Sequence, residues 1–287
     1  MTTKEILIAS CWTTAGNANP LPGQDLSPFP LKERIEAASE AGFRGFGLLD
    51  CDIAKFLEDH SLPDLKKILD DNGMEAIEIE FLTNWFETGE KRKESDALRE
   101  KLLTASKVLG AHHLKVAADI TGAPWDKEYW IKELTKLGDD AKSYDTKLAL
   151  EFMPFANINN LATGLDLVNS VNHPNVGLMV DMWHIGRGGT SIEEVSRTPL
   201  NRIYGVELDD ADAEQVGDGY SDTIHRRRYC GEGDMPVVEL IQTLKIIGWQ
   251  GPWGVEIISE EHRKLNPKDA AKKAFDTTVA CFAQAGF

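Results

Sequence analysis

The chain has 287 residues, 42% of them apolar, and a formal charge of −16. That length supports one (β/α)8 domain of about 250 residues or two smaller domains. The negative field lacks the basic stripe that grips nucleic acid, and no apolar run reaches the roughly 20 residues of a membrane span. The four cysteines, Cys11, Cys51, Cys230 and Cys281, show neither zinc-ligand nor CxxC spacing. With no leader-like N-terminus, the expected location is the reducing cytoplasm.

Taken in chain order, eight apolar runs of strand length recur: 6–12, 43–50, 75–82, 112–118, 147–153, 176–183, 202–208 and 251–258. Helical periodicity lies between them. In LKERIEAASEAGF, Ile35 and Ala38 form an apolar stripe that Gly42 terminates. LPDLKKILDDNGM repeats the device with Leu65, Ile68, Leu69 and a closing Gly73. Two later segments end in the same way at Gly110 and Gly248. A glycine can take the left-handed turn that ends a helix and releases the chain into the next strand.

Eight such units predict a single (β/α)8 TIM barrel over residues 1–287 rather than an open doubly wound sheet. No GxGxxG follows the first strand, which argues against a dinucleotide fold. Long polar loops after the first and seventh strands would build walls at the barrel's C-terminal face, where catalysis takes place in this architecture.

Four acids interrupt or end the later strands: Glu151 in LALEFMPF, Asp181 in VGLMVDMWH, Glu207 in RIYGVELDD and Glu256 in GPWGVEIIS. A lone charge inside a buried strand is costly to desolvate. Four at matching positions are explained by a shared cation, or else each is separately satisfied by a helix cap or an arginine. Oxygen donors alone favour one divalent cation, Mn2+ or Mg2+, over a structural zinc.

Other candidates surround these acids. His184, three residues after Asp181, could orient a ligand or bond substrate, or be an ordinary loop histidine. Asp209 shares a strand face with Glu207 and could contact a bound water or hold a basic neighbour. Lys115 in HHLKVAA is either a proton relay with a pKa lowered by burial, or the partner of a core carboxylate such as Glu80 or Glu151. In His225-Arg226-Arg227-Arg228, only one or two side chains can point inward; His225 and Arg228 are taken as the substrate contacts. Trp12 and Trp183 fall at strand ends, where their rings could stack on a sugar or simply pack.

The stretches LALEFMPF, VGLMVDMWHI and RIYGVEL through RRRYCGEGDMPVVELIQTLKIIGWQGPWGVEIIS resemble the xylose isomerase-like TIM barrel superfamily of sugar phosphate isomerases and epimerases. The GEG turn before a helix and the G-W-x-G-P run before the last acid carry most of the likeness. The resemblance implies that Glu151, Asp181 and Glu256 are metal ligands and that Glu151 and Glu256 act as base and acid on either side of the substrate. Glu207 stands where relatives usually have His or Gln, a departure that puts the third ligand in question.

The expected activity is therefore isomerisation or epimerisation of a small sugar or keto-sugar, with a proton removed beside a carbonyl to give an enediolate. The alternative is a lyase using the same chemistry, a dehydratase or an enzyme eliminating from a 3-keto-glycoside. A non-catalytic sugar-binding subunit ranks third. Partners are expected to be the small substrate, with a homo-oligomer or a small partner subunit left open, and neither nucleic acid nor membrane.

Overall fold

A computed structural model describes residues 3–287. Eight parallel strands close into a barrel in sequence order: β1 (Leu7–Ala9), β2 (Gly45–Leu49), β3 (Ala76–Leu82), β4 (His113–Ala117), β5 (Leu148–Glu151), β6 (Val176–Asp181), β7 (Ile203–Leu208) and β8 (Trp253–Val255). β1 pairs with β8 through Leu7–Trp253, Ile8–Gly254 and Ala9–Val255, and this register closes the ring. The eight strands are those expected, though several are shorter. The first stops at Ala9, and Trp12 falls in a 3-10 turn over Cys11–Thr14.

Helices wrap the barrel, and their boundaries follow local chemistry. Gly42 (φ 114°) ends the helix Leu31–Ala41, its N–H donating to the carbonyls of Ala38 and Ser39. Ser61 and Asp64 form a reciprocal capping box that starts Leu62–Asp71. The apolar stripes face inward as predicted, with Ile35, Ala38, Leu65 and Leu69 buried, while Ile68 is half-buried. The last helix, Pro267–Ala285, packs against Leu31–Ala41 and ties the end of the chain to its beginning. No helix among the described residues is long and apolar enough to cross a membrane.

Strand alternation then sorts the side chains. On β4, Leu114 and Val116 join the apolar core, whereas His113 and Lys115 are buried among polar groups inside the barrel. The register sets Asp181 beside Glu207, Ala117 beside Glu151, and Glu207 beside Gly254. A Cβ on Gly254 would lie 2.7 Å from Glu207 Cγ, so glycine on β8 leaves the room that this glutamate occupies.

Candidate active site

Glu151 ends β5, Asp181 ends β6, Glu207 lies near the end of β7, and Glu256 directly follows β8. Each offers one oxygen, and those four oxygens all lie within 4.8 Å of one another. All four residues are buried. Glu151 and Glu256 line the base of a cleft of about 590 Å3 at the C-terminal rim, together with Glu80, His184 and Arg227. Asp181 and Glu207, with no accessible surface, complete the cluster beneath.

Two buried cations hold this floor. Lys115 Nζ donates to Glu207 Oε1 at 2.7 Å, Glu80 Oε2 at 2.8 Å and Glu256 Oε1 at 3.1 Å. Arg227 Nη1 reaches Asp181 Oδ2 at 2.7 Å and Glu256 Oε2 at 3.0 Å, and also bonds Asp209. Thr223 Oγ1 accepts from the other guanidinium nitrogens, at 3.0 Å from Nη2 and 3.1 Å from Nε. Ser10 Oγ donates to Glu256 Oε1 at 3.1 Å. The carboxylate of Glu256 is thereby fixed from several directions.

His184 bridges the other side of the floor. Its backbone N–H donates to Asp181 Oδ1 at 2.8 Å, which caps the short helix Met182–Arg187. Its ring Nε2 lies 3.2 Å from Glu151 Oε1, and Nδ1 has no partner among the described residues. The histidine can therefore orient Glu151, while its second ring nitrogen is buried.

Charge sets the titration behaviour. Burial works against the Lys115 ammonium, but the carboxylates of Glu207, Glu256 and Glu80 outweigh it and push its pKa well above the ordinary lysine value. The expectation of a lowered lysine pKa is thus corrected, because three acids from other strands share that one ammonium. Lys115 is also absent from the cleft lining; it sits below and positions carboxylates. Of its two expected partners, Glu80 is one and Glu151 is not.

Burial opposes ionisation of Asp181, yet Arg227 and His184 hold its carboxyl below the usual range. Glu256 is likewise lowered against burial, by Lys115 and Arg227. Glu207 is pushed well up by burial and by the neighbouring Glu256. A dication within reach of its oxygens acts in the opposite direction.

The donor set fits such an ion. Six buried acids (Glu80, Glu151, Asp181, Glu207, Asp209 and Glu256) meet only Lys115 and Arg227 as lysine or arginine partners among the described residues of the barrel mouth. Glu207 Oε2 is a buried carboxylate oxygen with no hydrogen-bond partner among the described residues. Such an atom inside a protein is expensive unless something positive satisfies it. The cluster could hold a divalent cation.

The remaining predicted contacts divide cleanly. Trp12 lines the cleft. Trp183 does not: it is buried beside the guanidinium groups of Arg187 and Arg227, each 5.8 Å from its ring. Asp209 is also buried and serves by holding Arg227. Arg228 faces away and pairs with Asp212 at 2.9 Å, and His225 bonds Arg263 at 2.9 Å, so neither enters the cleft.

The inward arginine is Arg227, which lies between two residues that each form a bridge. Arg226 bridges Ser259 and Arg228 bridges Asp210, which turns the middle side chain the other way. Asp210 accepts from the N–H groups of Gly231, Gly233 and Met235 at 2.9, 3.0 and 2.9 Å. It thus pins the GEG turn that carries this segment. Glu80 was expected as a structural partner and also reaches the cleft.

Comparison with known proteins places these features in context. The family profile described as "Xylose isomerase-like TIM barrel" matches residues 35–281. An inosose isomerase of Halalkalibacterium halodurans is 26% identical over 236 residues, covering 79% of this chain and 82% of the relative. A crystal structure of IOLI protein with a binding zinc atom superposes with a TM-score of 0.84 at 26% identity, covering 98% of this chain and 99% of that one. A xylose isomerase-like TIM barrel/4-hydroxyphenylpyruvate dioxygenase fusion protein has the same fold, with a TM-score of 0.84 at 19% identity. This chain spans 99% of its own length but only 43% of that longer protein.

Proposed function

The chain belongs to the xylose isomerase-like TIM barrel family, and from that premise we propose that it is a divalent-metal-dependent isomerase or epimerase of a small sugar or keto-polyol. The observation that carries this reading is the meeting of Glu151, Asp181, Glu207 and Glu256, from four successive strands, at the base of an open cleft. Relatives named inosose isomerases support it. Glu151, Asp181, Glu207 and Glu256 would hold the ion, and an all-oxygen set suits Mn2+ or Mg2+. The bound cation would supply Lewis-acid polarisation of a substrate carbonyl, which makes the neighbouring C–H more acidic.

The protein's own groups do the rest. Glu151 and Glu256 both line the cleft and approach it from different strands. One accepts the substrate proton and the other returns one at a different carbon or face. His184, which also lines the cleft, holds Glu151 in place. Lys115 and Arg227 fix the orientation of Glu256 and keep it ionised. The free thiols of Cys11, Cys51, Cys230 and Cys281 accord with a cytoplasmic enzyme.

The test is solvent deuterium uptake from D2O into keto-sugars and inososes, with Mn2+ or Mg2+ added. Uptake is expected for the native chain. Glu151→Gln and Glu256→Gln should each lower the rate by a factor of about 10²–10⁴ while the fold survives. Native rates in both variants would contradict the assignment. Retention of every substrate atom marks an isomerase, whereas release of a leaving group marks the lyase course of the same proton removal.

A further inference from the structure

The cleft is much larger than its charged base requires, and most of its exposed lining is apolar. At the base lie Glu80, Glu151, His184, Arg227 and Glu256. The rest of the lining is mostly apolar in exposed area, notably at Trp12, Phe86, Phe155 and Ile258, with charged groups such as Asp50 and Lys91 among them. These walls are built, not incidental. Trp12 and Ile258 belong to a small apolar cluster separate from the main core. Phe86 stacks on Trp130 with ring centroids 4.5 Å apart, and Phe155 meets Tyr220 edge-on at 5.6 Å. Both phenylalanines remain only half-buried, so part of each ring is left for a ligand.

Volume sharpens the point. A six-carbon ring polyol displaces about six waters' worth of space, roughly 180 Å3 at about 30 Å3 per water. The cleft holds about 590 Å3, near three times that. A bare polyol seated on the carboxylates would leave the aromatic walls facing water, which is the costly arrangement for apolar surface. Pockets lined in this manner ordinarily receive a ligand with an apolar body and one polar end.

Building on the proposed isomerase reading, we infer that the substrate is a ring polyol or keto-sugar bearing an apolar, planar substituent, with the sugar on the carboxylate floor and the substituent between the aromatic walls. Flat rings match this surface because offset and edge-to-face contacts add to the area buried. The walls select for the substituent, and the floor selects for vicinal oxygens.

Equilibrium binding of two stable probes, methyl and phenyl β-D-glucopyranoside, to the Mn2+-supplemented protein tests this. The phenyl glucoside should bind at least tenfold more tightly. In Phe155→Ala, at a half-buried position, the phenyl advantage should fall below about threefold while methyl glucoside affinity is unchanged. Equal affinities in the native protein, no binding of the phenyl probe, or an advantage that survives Phe155→Ala would overturn the inference. Deuterium uptake from unsubstituted keto-sugars is a separate measurement, so failure of the isomerase reading is told apart from failure of this one.

Discussion

Lys67 on the outside of the barrel and Lys115 inside it make nearly the same bond. Lys67 lies 2.6 Å from Asp71, and Lys115 lies 2.7 Å from Glu207. Their surroundings differ completely. The outer pair is 73% and 60% exposed, whereas the inner pair is 1% and 0% exposed. In water the Coulomb gain is screened and offset by side-chain entropy. Inside, each charge depends on its partners because solvent cannot replace them. The jacket of i,i+4 pairs on the helices keeps the surface charged, while the buried network fixes the geometry of a site.

Breaking the inner network should have the largest effect. Arg227→Met leaves Asp181, Asp209 and Glu256 without their shared guanidinium. A loss of about 3–5 kcal/mol is expected, read from denaturant unfolding. Added Mn2+ should recover part of it in Arg227→Met, since a dication can compensate Asp181 and Glu256. Unchanged stability, or no response to Mn2+, would count against the charge balance described for the floor.

Glu78 provides an intermediate case. It lies deeper in the barrel, 3.5 Å from His113 Nε2, and neither of its carboxyl oxygens has a hydrogen-bond partner among the described residues. Burial pushes its pKa from 4.5 up to about 8. The folded state therefore prefers the protonated acid. That contribution is complete below about pH 4.5 and is lost as pH rises towards about 8. Glu78→Gln keeps the shape and removes the titration, so its stability should vary less across that window than the native protein's. Parallel pH profiles for the two proteins would disprove it.

The smallest effect belongs to the surface. Lys67→Ala should change stability by no more than about 0.5 kcal/mol, with the difference diminishing in high salt. A change as large as that of Arg227→Met would erase the distinction between the two regions.

The same contrast explains what could be read from the sequence. Strand–helix alternation and helix-ending glycines are local signals, and they predicted the eight-stranded barrel. Glu151, Asp181, Glu207 and Glu256 were visible because a charge at the end of an apolar run is anomalous within a few residues. Arg227 was not distinguishable from Arg226 and Arg228, because its direction depends on bridges to Asp210 and Ser259. The pKa of Lys115 was misjudged for a related reason: its three carboxylate partners come from β3, β7 and the residue after β8. Trp183 resembled a sugar platform in sequence, but the guanidinium groups of Arg187 and Arg227 occupy its surroundings. Local patterns reported which residues were unusual, and long-range packing decided what each one touches.

The most direct measurement is a Mn2+ titration followed by electron paramagnetic resonance, on the native chain and on Asp181→Asn and Glu207→Gln. One bound ion per native chain is expected, with affinity reduced at least tenfold in each variant while the fold is retained. Binding that is absent in the native chain, or equally strong in all three proteins, would contradict a cation held by these carboxylates.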